Sequence, residues 1–342
     1  MRFRITPFDL SLMVPFTTAR TEVASRSGLL VTLESGDVVG YGEVTPMPGW
    51  STIDVDRAGA ELLSAIAAID SGRDFDEVLD DLEDTPEVRA GLAGAAADLA
   101  ARRQGLSLSR SLDQDALTTV SVNAVIGSGT PEHTATAGLD AVQRGFSTIK
   151  VKVGVERPEI DIQRVAVLRA AVGGHVELRL DANGAWSPAA AREVLDGVAL
   201  HDIVFCEEPV EGIDAIAELG SQSPIPVAID ESARTVDDIA RALSTGAIDV
   251  VVVKPQAIGG PDLAMRAVRL VKEFGATPIV TTMIDSAIGV RHAAHVAAAS
   301  GVTLAHGLAT SSMLADDLAD PPRIVDGVIS LGSTPGLGVT LR

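Results

Sequence analysis

Eight short apolar runs recur from residue 117 onward and constrain the fold more than any other feature. Helical stretches separate most of them, a pattern typical of βα units and a parallel sheet. Polar residues close five of the runs at intervals of 29, 26, 23 and 24 residues: Lys152, Asp181, Glu207, Asp230 and Lys254. One strand plus one helix fills such an interval, and eight units close a barrel of roughly 200 residues.

The remaining parts of the 342-residue chain have a different pattern. Residues 1–46 hold alternating apolar runs around a turn at 35–37, which predicts an antiparallel meander, and residues 54–104 show helical spacing. We therefore predict an α/β chain with an α+β unit at 1–116, a barrel at 117–320 and a segment at 321–342 that returns to the first unit. An open doubly wound sheet is the alternative, but no GxGxxG follows the first strand.

Composition narrows the classes of function. Hydrophobic residues make up 46% of the chain and charged residues 22%, as in packed globular proteins. The net charge of −20 disfavours nucleic acid as a partner, and a single cysteine, Cys206, excludes a disulfide framework. The N-terminal residues lack the apolar core of a secretory signal, and the uncharged stretch 293–315 is interpreted as buried core. We expect a cytoplasmic protein with no membrane partner.

Three of the polar strand ends are carboxylates. Asp181, Glu207 and Asp230 each close an apolar run, and the carboxyl ends of parallel barrel strands meet at one mouth. Three hard oxygen donors suit Mg²⁺, with Mn²⁺ as a substitute ion, whereas Zn²⁺ favours His or Cys. The sequence therefore predicts a magnesium site.

Lysine is scarce but placed at strand-like positions. Only four of the 27 basic residues are Lys: Lys150, Lys152, Lys254 and Lys272. Lys150 and Lys152 share one face of a strand, and their like charges and partial burial are expected to lower the lysine pKa toward the range of a general base. In an eight-stranded ring, Lys152 and Lys254 lie on opposite sides. Two facing amines and a dication predict removal of the proton α to a substrate carboxylate.

The combined motifs resemble those of a known family. They are K-x-K (Lys150, Lys152), D-x-N (Asp181, Asn183), E-E-P (207–209), D-E-S (230–232) and Lys254, and together they resemble the muconate-lactonizing subgroup of the enolase superfamily. The resemblance implies a modified TIM barrel, (β/α)7β, under an N-terminal α+β capping domain. Asn183, Glu208 and Glu231 are expected to support the metal ligands without touching the ion.

Within the subgroup, cycloisomerases, dipeptide epimerases and o-succinylbenzoate synthases share these motifs. The chain is most similar to the synthases in GYGEVTPMPGWS, in residues 281–289 and in HGLAT, and it lacks at 307–312 the D-x-D pair usual in dipeptide epimerases. Synthases often have Glu where this chain has Asp285.

The resemblance implies a hydro-lyase of menaquinone biosynthesis. Its reaction would be syn-dehydration of 2-succinyl-6-hydroxy-2,4-cyclohexadiene-1-carboxylate through an enediolate, with Lys152 as the base and Lys254 stabilising the enediolate. The alternatives are a dipeptide or N-acylamino acid epimerase, a muconate-type cycloisomerase and, in another class, a non-catalytic ligand-binding barrel.

Substrate contacts are expected from two sources. The resemblance implies that the segments 15–26 and 47–51 of the capping domain cover the site, with Arg20 or Arg26 meeting the succinyl carboxylate. The later part of the barrel is expected to contribute four more contacts to a small-molecule carboxylate substrate: Thr282, Asp285, Ser286 and His306. Trp50 and Trp186 are loop positions near the expected site elements, and packing alone is a sufficient explanation for both.

Overall fold

The N-terminal unit, here called the capping unit, is an antiparallel sheet followed by helices. The computed structural model describes residues 1–17 and 22–342, and the sheet order is β1-β2-β3. The strands are β1 (Arg2–Thr17), β2 (Glu22–Ser35) and β3 (Val38–Val44), and the helices are α1 (Val55–Asp70), α2 (Phe75–Asp80), α3 (Pro86–Gln104) and α4 (Leu108–Leu112). The predicted meander and helical stretch lie where the sequence places them.

Two glycines of β3 allow α3 to lie directly on the sheet. A Cβ at Gly40 would collide with the carbonyl oxygen of Ala95, and one at Gly42 with that of Gly91. Residues without side chains therefore let the helix backbone approach the strand closely. Fully buried Val31 packs in the core beneath this contact.

The second unit is the predicted barrel. Seven parallel strands follow the order β11-β10-β9-β8-β7-β6-β5. The barrel strands are β5 (Ala124–Ile126), β6 (Thr148–Lys152), β7 (Glu177–Asp181), β8 (Ile203–Glu207), β9 (Val227–Ile229), β10 (Val250–Val253) and β11 (Thr277–Val280). A small antiparallel sheet contains β4 (Thr119–Ser121), β12 (Ile324–Val325) and β13 (Val328–Ser330). The helices are α5 (Pro131–Gln143), α6 (Pro158–Val172), α7 (Pro188–Val198), α8 (Ile213–Gly220), α9 (Val236–Ser244), α10 (Pro255–Ile258), α11 (Pro261–Glu273) and α12 (Ala287–Ser300).

The eighth apolar run closes the ring through two bridges instead of a long strand. His306 pairs in parallel with Val122, and Gly307 pairs in parallel with Thr281 at the end of β11. A Cβ at Gly307 would lie only 2.6 Å from Cγ2 of Thr281, so glycine permits this close pairing. The closed ring has the predicted (β/α)7β plan.

The C-terminal segment serves both units. Strands β12 and β13 form the small sheet with β4, beside the start of the barrel. Farther on, Gly336 exchanges backbone hydrogen bonds with Leu106 and Leu108, and the Leu337 N–H donates to the fully buried Asp98 of α3 at 2.7 Å. The return to the capping unit thus involves residues after β13, while β12 and β13 stay with the barrel. The domain boundaries themselves stay predictions.

A carboxylate of the capping unit caps a helix of the barrel. Glu43 of β3 is 2% exposed and accepts hydrogen bonds from the N–H groups of Ser286 (3.0 Å) and Gly289 (2.9 Å) and from the Ser286 hydroxyl. These groups lie at the N-terminus of α12, where free N–H groups and the helix dipole favour a negative charge. This contact ties the sheet of the capping unit to the barrel.

Arg26 fills the same interface and gives a stability prediction. It is 1% exposed and donates to the carbonyl oxygens of Ile284, Pro46 and Thr45 at 3.3, 2.9 and 2.9 Å. We expect Arg26→Met to lower the free energy of unfolding by about 3–5 kcal/mol, because nearby buried carboxylates lose their cation. Urea unfolding measures this.

The matched control for this prediction is Arg103→Met, which removes a guanidinium from an exposed position of α3. Its effect should stay within about 0.5 kcal/mol. An Arg26→Met loss no larger than that of the control would contradict the assigned role of Arg26.

Among the described residues, no helix is long and apolar enough to cross a membrane. The stretch 293–315 instead contains most of α12, whose residues are almost all buried against the barrel and the capping unit, as the sequence analysis interpreted it.

Candidate active site

Three neighbouring strands carry the predicted metal-binding carboxylates at their C-terminal ends. Asp181 ends β7, Glu207 ends β8 and Asp230 directly follows β9. Their exposed fractions are 0%, 2% and 4%. Because the strands are parallel and adjacent, the carboxylates lie side by side at one mouth of the barrel.

Two lysines of β6 contact these carboxylates. Lys150 Nζ lies 2.8 Å from Asp181 Oδ2 and 3.1 Å from Glu207 Oε1, so this amine sits between two of the predicted ligands. Lys152 Nζ lies 2.6 Å from the same Asp181 Oδ2. The shared face predicted for the K-x-K pair therefore points into the barrel mouth.

The third lysine lies at the other side of the group. Lys254 follows β10, and its Nζ is 2.6 Å from Asp230 Oδ1. The strands that carry Lys152 and Lys254 flank the three strands that carry carboxylates. The space above the carboxylates is thus bordered by an amine on each side, as the ring count predicts.

The donor set fits a hard divalent cation. Five carboxyl groups lie at this mouth (Asp181, Glu207, Glu208, Asp230 and Glu231) beside three ammonium groups, so the mouth holds two fewer ammonium groups than carboxyl groups. Burial and the charge of Asp181 raise the pKa of Glu207 to about 8, as expected for a carboxylate short of positive partners. An all-oxygen site with this deficit is what Mg²⁺ takes.

The carboxylates are not yet gathered around one point. Within the part of the chain that the structure describes, no three His, Cys, Asp or Glu side chains converge closely enough to hold an ion as they stand. The reason is visible at Lys150, whose Nζ takes the place between Asp181 and Glu207. A bound cation would replace that ammonium as their common partner.

The expected lowering of the lysine pKa does not hold for Lys150 in this arrangement. Burial alone would lower the pKa of Lys150, but Asp181 and Glu207 outweigh it and raise the pKa above its usual value. The pKa of Lys254 is raised in the same way by Asp230 and Glu231, against the effect of burial. The like charge of a second lysine is outweighed here by the fields of the surrounding carboxylates, which stabilise the charged amine.

Supporting residues connect the lysines to the loops. Asn183 Oδ1 accepts a hydrogen bond from Lys152 Nζ at 2.9 Å, and Asn183 Nδ2 donates to Glu231 Oε1 at 2.8 Å. Glu208 accepts from the Asp230 N–H at 2.8 Å, and burial followed by Glu231 raises the pKa of Glu208 to about 8. The structure therefore places all three predicted supporting residues beside a predicted ligand or base.

The backbone at the mouth is strained. Asn183, Glu208 and Ile284 have φ values of 47°, 41° and 59°, a region that side-chain-bearing residues rarely adopt. Asn183 and Glu208 closely follow the ligand positions of β7 and β8, and Ile284 precedes Asp285. Such strain persists where the surrounding structure holds it and clusters at functional sites.

Most of the predicted substrate contacts are engaged elsewhere. Arg20 lies outside the described residues, and the remainder of the expected covering segment 15–26 belongs largely to β1 and β2. Arg26 is bound to three carbonyl oxygens, and Ser286 is bound to Glu43, so the polar groups of both residues are engaged within the protein. The expectation of substrate contacts from these two residues is therefore not supported.

The other two expected substrate contacts in the barrel wall, His306 and Thr282, differ in how far they are buried. His306 is fully buried, with Nδ1 accepting from the Val280 N–H at 2.9 Å, because the closing bridges place its ring inside the barrel wall. Its expected substrate contact is not supported. Thr282 is 9% exposed, and its hydroxyl lies 2.6 Å from that of Thr310, which follows the bridges that close the barrel, so Thr282 remains a candidate.

Asp285 is buried beside the interface and yields a prediction on pH. Burial, followed by the charge of Glu43, raises the pKa of Asp285 to about 7, although Arg26 opposes this. In the unfolded chain the pKa of Asp is about 3.9, so the folded protein binds more protons between these values. The contribution to stability is therefore complete below about pH 4 and is lost as pH rises to about 7.

Asp285→Asn isolates this contribution. We expect the variant to gain stability relative to the parent protein by up to about 4 kcal/mol between pH 4 and pH 8, because an amide carries no charge to bury. Urea unfolding at each pH measures the difference. A difference that stays constant with pH would contradict the prediction.

Sequence reasoning missed one side chain at this mouth. The Trp50 ring of the capping unit lies over the Lys254 ammonium, with 4.0 Å from Nζ to the ring centroid. Packing is a sufficient explanation for Trp50 in the sequence, although the segment 47–51 is expected to cover the site. An aromatic residue in a covering segment was the available signal.

The family is shown by matches to known proteins. Residues 134–342 match the family described as enolase C-terminal domain-like, and residues 2–99 match the MenC N-terminal domain. Muconate cycloisomerase 1 of Rhodococcus opacus is 30% identical over 98% of this chain and 94% of its own length. The o-succinylbenzoate synthase of Thermobifida fusca is 34% identical over 62% of this chain and 66% of its own.

A solved structure agrees in fold. The dipeptide epimerase of Enterococcus faecalis V583, complexed with Mg and the dipeptide L-Leu-L-Tyr, has a TM-score of 0.90 and 25% identity, covering 99% of this chain and 98% of its own. Together with the geometry of the barrel mouth, these matches show that the chain belongs to the enolase superfamily, in its muconate-lactonizing subgroup.

Proposed function

We propose that this protein is a Mg²⁺-dependent o-succinylbenzoate synthase. The observation that carries the proton-abstraction chemistry of the proposal is the pair of amines, Lys152 and Lys254, on either side of the buried carboxylates at the mouth. The match of residues 2–99 to the MenC N-terminal domain, and relatives named as o-succinylbenzoate synthases, support this choice within the subgroup.

The proposed reaction is a syn-dehydration. Lys152, with its Nζ held by Asp181 and Asn183, accepts the proton α to the substrate carboxylate and then returns a proton to the departing hydroxyl on the same face. One water leaves, and the ring becomes aromatic. Lys254 keeps a positive charge on the opposite side, where it stabilises the enediolate.

The metal site belongs to the same proposal. Asp181, Glu207 and Asp230 would hold Mg²⁺, whose charge supports the anionic form of the substrate carboxylate and opposes protonation of the nearby amines. Lys150, which the ion would displace from between Asp181 and Glu207, shares a face of β6 with the base and acts as its electrostatic neighbour. Asn183 and Glu231 orient Lys152.

An amino acid or dipeptide epimerase is the second candidate, and the same facing amines favour it. Two bases on opposite faces of an α-carbon suit epimerisation, and the L-Ala-D/L-Glu epimerase of Bacillus subtilis is 29% identical over 99% of this chain. Against it, residues 307–312 (GLATSS) contain no carboxylate that could bind a substrate amine.

The deciding experiment follows the ultraviolet absorbance of the dihydroaromatic acid in the presence of Mg²⁺ or EDTA. Turnover that requires Mg²⁺ supports the synthase. Turnover of dipeptides or N-acylamino acids, with exchange of their α-hydrogen for solvent deuterium and no dehydration, rejects the synthase but keeps the superfamily chemistry. Metal-dependent binding without any turnover would instead indicate a non-catalytic barrel.

A further inference from the structure

We propose that Trp50 is a positioning residue for Lys254: the indole face holds the Lys254 ammonium at the barrel mouth, and Arg234 fastens the indole. The proposal rests on the proposed function only in that Lys254 acts on the substrate. It applies equally to a synthase and to an epimerase.

The indole stands on a short, anchored turn, here called the lid turn (Met47–Ser51). The N–H groups of Trp50 and Ser51 donate to the Met47 carbonyl oxygen at 3.0 and 2.8 Å. The Ser51 hydroxyl donates to Glu87 of α3. The backbone beneath the ring is therefore held by the capping unit.

Within the described part of the chain, the ammonium of Lys254 directly contacts one carboxylate and one aromatic ring, while Glu231 acts on it from farther away. Its Nζ contacts Asp230 Oδ1 at 2.6 Å and lies 4.0 Å from the centroid of the Trp50 ring, and the lysine side chain is only 13% exposed. A cation over an indole face is attracted by the ring quadrupole, most strongly where water is excluded.

A neutral partner matters for the chemistry of this lysine. A second carboxylate in direct contact would offset more of the positive charge that an anionic substrate needs, whereas an aromatic face fixes the ammonium and leaves its charge in place. If Asp230 also binds a metal ion, Trp50 is the partner that remains dedicated to Lys254.

Arg234 holds the indole from the barrel side. Its guanidinium carbon lies 4.8 Å from the ring centroid of Trp50, and its Nη1 donates to the Trp50 carbonyl oxygen at 3.0 Å. Arg234 Nε also donates to the carbonyl oxygen of Glu231, in the loop that follows Asp230. Arg234 thereby connects the loop after Asp230, a predicted metal ligand, to the lid turn.

The first test uses fluorescence and no substrate. Trp50 and Trp186 are the only tryptophans, so Trp186→Phe leaves Trp50 as the sole indole reporter. In that background, Arg234→Met should clearly increase quenching of Trp50 by acrylamide. Arg241→Met is the matched control, because Arg241 pairs with Asp214 and is largely exposed. Equal quenching in the two variants would overturn the role assigned to Arg234 in holding the Trp50 indole.

The second test separates positioning from simple contact with substrate. Trp50→Leu keeps an apolar side chain without a π face, and we expect kcat to fall about 30-fold with KM changed less than about threefold, as for loss of a desolvated cation–π contact. Trp50→Phe should recover most of the loss. A rise in KM at constant kcat, or no recovery with Phe, would overturn the proposal.

The two tests also distinguish this inference from the proposed function. Kinetics are measured on whichever substrate the parent protein turns over, so failure of the dihydroaromatic acid alone rejects the synthase and not the role of Trp50. If nothing is turned over, Lys254 has no reaction to support, and the catalytic part of the inference is rejected while the quenching result reports only on the lid turn.

Discussion

Replacing Lys152 with Met is expected to lower kcat about 10⁴-fold, the upper range for loss of a general acid–base group. Met keeps the length and apolar stem of the side chain but cannot accept a proton. Asp181 keeps Lys150 as a cationic partner at 2.8 Å, so the fold should tolerate the change. Steady-state kinetics and exchange of the substrate α-hydrogen with solvent deuterium both measure the effect.

Lys272→Met is the matched control for this prediction. Lys272 lies on α11 and donates to the Ser300 carbonyl oxygen at 3.0 Å, away from the barrel mouth. Its variant should keep the parent kcat. A Lys152→Met protein that retains a tenth of the parent activity would show that another group is the base.

Glu207→Gln is expected to weaken Mg²⁺ binding by more than about 100-fold, since even residues outside the first ring of ligands contribute up to that factor. The amide preserves shape but not charge. Mg²⁺ should raise the Tm of the parent protein, because a ligand that binds only the folded state stabilises it, and should leave that of the variant unchanged. EDTA should abolish parent activity, and added Mg²⁺ should restore it.

Without Mg²⁺, the order of stability of the parent protein and of Glu207→Gln should be reversed. The pKa of Glu207, raised to about 8 by burial and by Asp181, means that this carboxylate is costly to keep charged near neutral pH. Without Mg²⁺, Glu207→Gln should therefore be at least as stable as the parent protein. Glu177→Gln, at the opposite end of β7 and partly exposed, is the control and should keep the response to Mg²⁺. A Tm shift by Mg²⁺ in Glu207→Gln would contradict the ligand assignment.

Local patterns in the sequence were sufficient for the strands and their polar ends. Asp181, Glu207 and Lys254 follow apolar runs whose barrel spacing determines which mouth they share, so periodicity predicts their neighbourhood. The direction of the pKa shift of Lys150 was predicted wrongly from the same pattern. The pattern shows the neighbouring lysine along the strand, but not the carboxylates of the next two strands, which raise the pKa. Fields across strands depend on distances that spacing along the chain does not contain.

The interface between the units was the part least accessible from sequence. Arg26 lies in a segment that was expected to cover the site and Ser286 in a barrel loop expected to line it, and nothing local distinguishes a ligand contact from a contact with a carbonyl oxygen or with Glu43. Their role depends on how two units meet. The contact of Trp50 with the site was not predicted for the same reason, since its partners Lys254 and Arg234 are distant in the chain.

The contact between Leu337 and Asp98 has a consequence for synthesis on the ribosome. The helices of the capping unit are synthesised early. Leu337, whose N–H group donates a hydrogen bond to Asp98, is synthesised only after the whole barrel. At translation rates of roughly 5–20 residues per second, this takes roughly 10 to 45 s. Throughout that interval Asp98 lacks one of its hydrogen-bond donors, so the capping unit reaches its full set of contacts only after the barrel has been synthesised.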